Sequence, residues 1–128
     1  KTIPTIKLIQ EMDEAVKVAL DFYDSHPEET LIIVTSDHET GGATIGYGNM
    51  WKTDQPLWDI LDSAWTAAGE KNILNWEDNR KLNESAYIGW TTNYHTGGNV
   101  PVYAIGKGGE RFCGKMNNTD FKSKILAL

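Results

Sequence analysis

Asp37 and His38 stand side by side in the stretch VTSDHETGG, directly after the apolar run Leu31-Ile32-Ile33 and just ahead of Gly41 and Gly42. A carboxylate oxygen and an imidazole nitrogen are both ordinary zinc donors, at roughly 2.0–2.2 Å from the metal. A dry strand behind such a pair fixes its direction, and two glycines let the chain turn away tightly. His95 lies in a second turn of similar make, NYHTGG, just ahead of another apolar run, so that the three side chains could share a site at one edge of a sheet. The same residues allow a plainer reading. An Asp at a strand end often caps a turn, with Glu39 and Thr40 as solvated turn residues, and histidines in loops usually serve no site. Spacing alone leaves both readings open. His26, beside Pro27, reads as a surface residue.

Several elements must position these groups. Between positions 6 and 23 the apolar residues Ile6, Ile9, Met12, Val16, Ala19, Leu20 and Tyr23 recur at three- and four-residue steps, which predicts an amphipathic helix ending at Pro27. The following run TLIIVT is short, β-branched and apolar on both faces, the pattern of a strand covered by helices in a parallel sheet. Ligands of such sheets bind beyond the carboxyl ends of the strands, where Asp37 and His38 fall. Glycines at 41, 42, 46 and 48 predict a loop, or at most a short edge strand, over 43–49. Gln55-Pro56 opens a second helix with Leu57, Trp58, Leu61, Ala64, Trp65 and Ala68 on one face, stopped by Gly69. Residues 72–86 read as a weakly helical, peripheral excursion. A second apolar strand runs over 100–105, with Pro101 near its start, where a missing N–H is tolerated. A last helix follows Thr119, its expected cap, with Phe121, Ile125 and Leu126 as apolar positions. Two clear strands are few for an α/β domain of this length, so others are hidden or part of the sheet is missing.

With 128 residues the chain is the size of one ordinary domain, and with 40% hydrophobic and 23% charged residues it has the composition of a globular protein. A formal charge of -6, with the 12 Lys and Arg scattered, argues against nucleic acid as a partner. The single cysteine, Cys113, permits no intrachain disulfide. No apolar run approaches the roughly 20 residues that span a bilayer. Because the chain starts at Lys1 without a Met, a fragment or a processed product is expected.

The segment TLIIVTSDHETGG resembles the zinc-ligand segment of alkaline phosphatases, and YHTGGNVPVYAIGKGGERFCG resembles their later histidine segment with its trailing strand. The likeness extends through MDEAVKVALDFYDSHPEE and NNTDFKSKI, so that nearly the whole chain aligns in order with the C-terminal third of that family, residues 51–85 being a family-variable insertion. The resemblance implies a partial three-layer α/β sandwich with a mainly parallel sheet flanked by helices. It makes Asp37 and His38 ligands of the zinc that activates the nucleophile and His95 a ligand of the other zinc, with Glu39 and Thr40 in a supporting role at most. The implied activity is hydrolysis of phosphate monoesters through a phosphoserine, by an exported, periplasmic or secreted homodimer.

The same resemblance implies that much lies outside this chain. The nucleophilic serine, the remaining zinc ligands, the magnesium ligands and the phosphate-clamping arginine belong to the earlier two-thirds of the family, so no catalytic residue is expected here and the chain alone should be inactive. Asp62-Ser63-Ala64 reproduces the tripeptide around the family nucleophile, but Ser63 falls inside the predicted second helix and after the zinc motif, which rejects it. Arg80 and Arg111, the only arginines, do not lie where the phosphate clamp would be. Two other readings compete: a sibling metallo-hydrolase such as a phosphodiesterase, sulfatase or phosphomutase, and a non-catalytic α/β module that binds a partner through Trp51, Trp58 and Trp65.

Overall fold

A computed structural model describes residues 2–46, 57–70 and 74–128. Its elements are helices α1 (Thr2–Ser25), α2 (Trp58–Ala67), α3 (Trp76–Ser85) and α4 (Asp120–Leu126), a 3-10 turn at Gly109–Phe112, and short strands. The strands are β1 (Leu31–Val34), β2 (Glu39–Thr40), β3 (Ala43–Ile45), β4 (Ile88–Trp90), β5 (His95–Thr96) and β6 (Tyr103–Gly106). Contacts divide the chain into two units, one of residues 1–9 and 39–98, the other of residues 10–38 and 99–128. Gln55-Pro56, expected to open the second helix, and Trp51 lie outside the described residues.

In the second unit β1 pairs antiparallel with β6, from Leu31 opposite Gly106 to Val34 opposite Tyr103. Beyond the ladder, Lys107 N–H donates to Thr30 O at 2.9 Å, and the Thr35 hydroxyl donates to Pro101 O at 2.9 Å. Gly106 has φ +101°, and a Cβ there would run into Thr30 O, so this end of the ladder requires glycine. The expected mainly parallel sheet is not what these residues form. All three ladders among the described residues are antiparallel pairs, β1 with β6, β2 with β5 and β3 with β4. An apolar run reports that a strand is covered, whereas direction is decided by a partner distant in sequence, which no local pattern encodes. All four residues of β1 are half-buried, short of the two-sided burial their composition suggests.

Below β6 the Phe112 ring meets Phe121 of α4 at 5.6 Å between centroids, and Lys124 Nζ donates to Arg111 O at 2.6 Å. Thr119 occupies the N-cap position of α4, yet its side chain makes no capping bond. Asp120, in the first turn, instead reaches back to the preceding turn, its carboxylate accepting from Asn117 N–H at 3.0 Å.

The other unit has a small core of Leu61, Ala86 and Ile88, against which Ile3, Trp58, Leu82 and Trp90 pack. Part of the stretch read as a weak excursion, Trp76–Ser85, is a well-formed helix that contributes to this interior. Asn75 caps it, its side-chain oxygen accepting from Asp78 N–H at 2.9 Å, and Glu77 and Asp78 occupy the first turn, where negative charge opposes the helix dipole. Asn79 and Asn83 are its buried residues, and each has partners: Asn79 Nδ2 donates to Leu74 O at 2.7 Å, while Asn83 Oδ1 accepts from the Thr2 hydroxyl. Trp90 Nε1 completes the network by donating to Thr2 Oγ1 at 2.9 Å. An apolar periodicity could not reveal this helix, because hydrogen bonds satisfy the polar face that it buries.

Replacing Asn75 with Ala removes the cap of α3 and should cost about 1 kcal/mol, read as a lowered urea midpoint with an unchanged slope. Hydrogen bonding from Arg80, at 2.7 Å from Nη2 to Glu77 Oε1, holds the Glu77 carboxyl below its ordinary value. A carboxylate depressed in the folded state stabilises at neutral pH, and that contribution is lost as pH falls through the lowered value. Arg80→Ala should therefore weaken the acid-side decline of stability, measured as unfolding midpoints between neutral and acidic pH.

Candidate metal-ligand turns

Asp37 and His38 lie in the bend that follows β1. Both side chains are open to solvent, and Asp37 Oδ2 stands 3.4 Å from His38 Nε2. The pair is braced by its own backbone: His38 N–H donates to Asp37 Oδ1 at 3.1 Å, and the Ser36 hydroxyl donates to His38 O at 3.0 Å. The donors' separation has a chemical meaning. Two ligands at 2.0–2.2 Å from a tetrahedral zinc stand roughly 3.3–3.6 Å apart, a range that includes this Asp–His contact.

His95 belongs to the other unit, on β5, where Thr40 faces it across the ladder and Glu39 faces Thr96. Its Nδ1 lies 3.1 Å from Thr40 Oγ1. The neighbouring Glu39 is more than a solvated turn residue. Its half-buried carboxylate accepts from Gly42 N–H at 2.9 and 3.2 Å and from the Thr96 hydroxyl, closing the turn after β2 and binding it to β5. Gly41 N–H donates to Tyr94 O at 2.9 Å. Gly41 has φ +91°, and a Cβ there would come within 2.5 Å of the Trp90 ring, so the chain can pass beneath that indole only as glycine.

Among the described residues no group of three or more His, Cys, Asp and Glu side chains is arranged to hold a metal ion. Within its own unit each turn offers fewer donors than the three that a catalytic zinc takes from protein. Other chemistry-bearing groups have structural employment. Arg80 is bound to Glu77 and Glu84 on α3, and Arg111 to Ala127 O. Ser63 lies on α2, in helical backbone. His26 stacks on Phe22 at 4.5 Å between centroids on the surface of α1, as its place beside Pro27 suggested. The role of Glu39 as an anchor was not legible, although its position three residues before Gly42 is the spacing that a side-chain-to-backbone turn bond requires.

Comparison with known proteins adds an independent line. The family model described as alkaline phosphatase matches residues 1–128. The chain is 32% identical to Alkaline phosphatase 4 of Bacillus subtilis (strain 168), over 99% of this chain and 35% of that protein. It is 28% identical to Alkaline phosphatase 3 of the same organism, over 92% of this chain and 34% of that protein. The solved structure of a cold-active alkaline phosphatase from the psychrophile Shewanella sp. matches with a TM-score of 0.64 at 25% identity, covering 93% of this chain and 38% of that one. The chain thus spans about a third of the length of the curated relatives it matches.

A hydrogen bond to a charged acceptor is worth about 1.5–3 kcal/mol, so Glu39→Ala should speed exchange of the Gly42 amide at least about tenfold. Native-state hydrogen exchange followed at that amide is the measurement, and the amides of β1 and β6 serve as the unaffected reference.

Proposed function

The chain belongs to the alkaline phosphatase family, and from that premise we propose that it is the C-terminal portion of a zinc-dependent enzyme that hydrolyses phosphate monoesters. Residues 1–128 would be part of one domain of that enzyme, with 51–85 as a family-variable insertion and a mainly parallel sheet in the whole protein. Asp37 and His38 would hold one zinc, and His95 would contribute to a second. Magnesium ligands, the serine nucleophile and the phosphate-binding arginine would come from outside this chain. The enzyme would be a dimer, exported to the periplasm or beyond.

The observation that carries the reading is the 3.4 Å edge between Asp37 Oδ2 and His38 Nε2. Donors of the right chemistry stand at a tetrahedral separation, and local hydrogen bonds from His38 N–H and the Ser36 hydroxyl hold the turn that bears them. Exposed apolar side chains support the fragment. Leu8, Ile9, Val18 and Phe22 on α1 and Tyr103 on β6 are more than half exposed, as expected of surfaces that further chain would cover. Zinc, when bound, supplies positive charge that offsets the two charges of a phosphate monoester and favours the ionised form of an attacking oxygen. The chain's own contribution is orientation. The Asp37 carboxylate brings negative charge that a dication requires, and the His38 imidazole a neutral nitrogen donor. Both belong to one turn and stand 3.4 Å apart, so one cation could meet them without a large backbone movement.

The test compares the intact protein with variants. His38→Ala and Asp37→Ala should each lower bound zinc and reduce p-nitrophenyl phosphate turnover by at least about a hundredfold, since a lost ligand removes transition-state charge stabilisation of several kcal/mol. Ser63→Ala should change neither. The 128-residue chain alone should show no zinc-dependent turnover. Full zinc content and activity in His38→Ala would overturn the assignment.

A further inference from the structure

The neighbour of the ligand pair has a part of its own. We propose that Thr40 is the positioning residue for His95. In this arrangement His95 Nδ1–H donates to the Thr40 hydroxyl oxygen, so that Nε2 is the ring nitrogen left with a lone pair for a divalent cation. The inference rests on the zinc reading above in one respect: it supplies the reason for that tautomer.

Three observations carry it. Thr40 and His95 are directly opposed in the β2–β5 ladder, where cross-strand side chains share one face. Their polar atoms, Oγ1 and Nδ1, are 3.1 Å apart. The strand that presents Thr40 is fixed against sliding from two sides: Glu39 binds Gly42 N–H and the Thr96 hydroxyl, and Gly41 N–H is bound to Tyr94 O beneath the Trp90 ring. A β-branched side chain on so short and so constrained a strand has few rotamers, so its hydroxyl marks a fixed point for the ring.

A hydroxyl can donate or accept, so geometry alone permits either tautomer. Ligation decides between them. Were Nδ1 the acceptor, Nε2 would carry the proton and have no lone pair to offer. The partner of one ring nitrogen sets which nitrogen binds metal, and such partners also hold the ring's orientation. Because both side chains are exposed, the bond contributes little to folding, and orientation is the effect that remains.

The experiment uses the intact protein, with zinc alone as probe, and compares Thr40→Val, Thr40→Ala and Thr40→Ser. In the zinc-free protein, long-range 15N–1H correlations should show His95 protonated at Nδ1 in the wild type and in Thr40→Ser, and a mixture of tautomers in the other two. Zinc affinity should fall by about 10–100-fold in Thr40→Val and Thr40→Ala, and return towards wild type in Thr40→Ser. Thr40→Ala adds no bulk and reads the same loss should Thr40→Val disturb the ladder. His95 protonated at Nε2 in the wild type, or a Thr40→Ala protein with unchanged tautomer and zinc affinity, would overturn the proposal. A wild-type protein that takes up no zinc but keeps the Nδ1–H form would sink the zinc reading and leave the Thr40 contact in place.

Discussion

One carboxylate, that of Glu39, keeps the second ligand turn in order. By accepting from the Gly42 amide and the Thr96 hydroxyl together, it joins two strand fragments of two residues each that could not hold a register by themselves. A two-stranded ladder so short is marginal in water, and its stability must come from packing and from side-chain bonds at its ends. Trp90 supplies the packing above Gly41, and Glu39 supplies the bonds. Thr40 and His95 are held opposite one another because of that arrangement.

The same economy appears in the interior of that unit. Its apolar core is small, and the space between α3, β4 and the start of α1 is filled by Thr2, Asn79, Asn83 and the Trp90 indole. Burying amides and a hydroxyl would be costly without partners, but the network runs from indole to hydroxyl to amide without a break. Directional bonds of this kind tolerate fewer arrangements than apolar contacts. They fix the helix that packs on β4, and through β4 the indole that covers Gly41.

The chain belongs to the alkaline phosphatase family, and an acidic chain can meet an anion through local positive charge, from basic side chains or from bound cations. The turn after β1 brings a carboxylate and an imidazole to 3.4 Å from one another, while the two arginines are occupied in structural bonds. The chain has about a third of the relatives' length, and Leu8, Ile9, Val18 and Phe22 of α1 and Tyr103 of β6 are more than half exposed.

Local order determined a good deal by itself. The periodicity of α1 and α2, the apolar run that became β1, the second run, of which only the part from Tyr103 is strand, and the Asp37-His38 pair after a strand were visible in residue order, because each depends on neighbours within a few positions. The tertiary structure alone decided the rest. That β1 meets β6 antiparallel, that Ile88–Trp90 forms a strand against Ala43–Ile45, and that a polar helix buries two asparagines all depend on partners dozens of residues away. Hydrogen bonds between such partners leave no period in the chain. So it is with Thr40 and His95: composition names two polar residues in two turns, and only the ladder places one against the other.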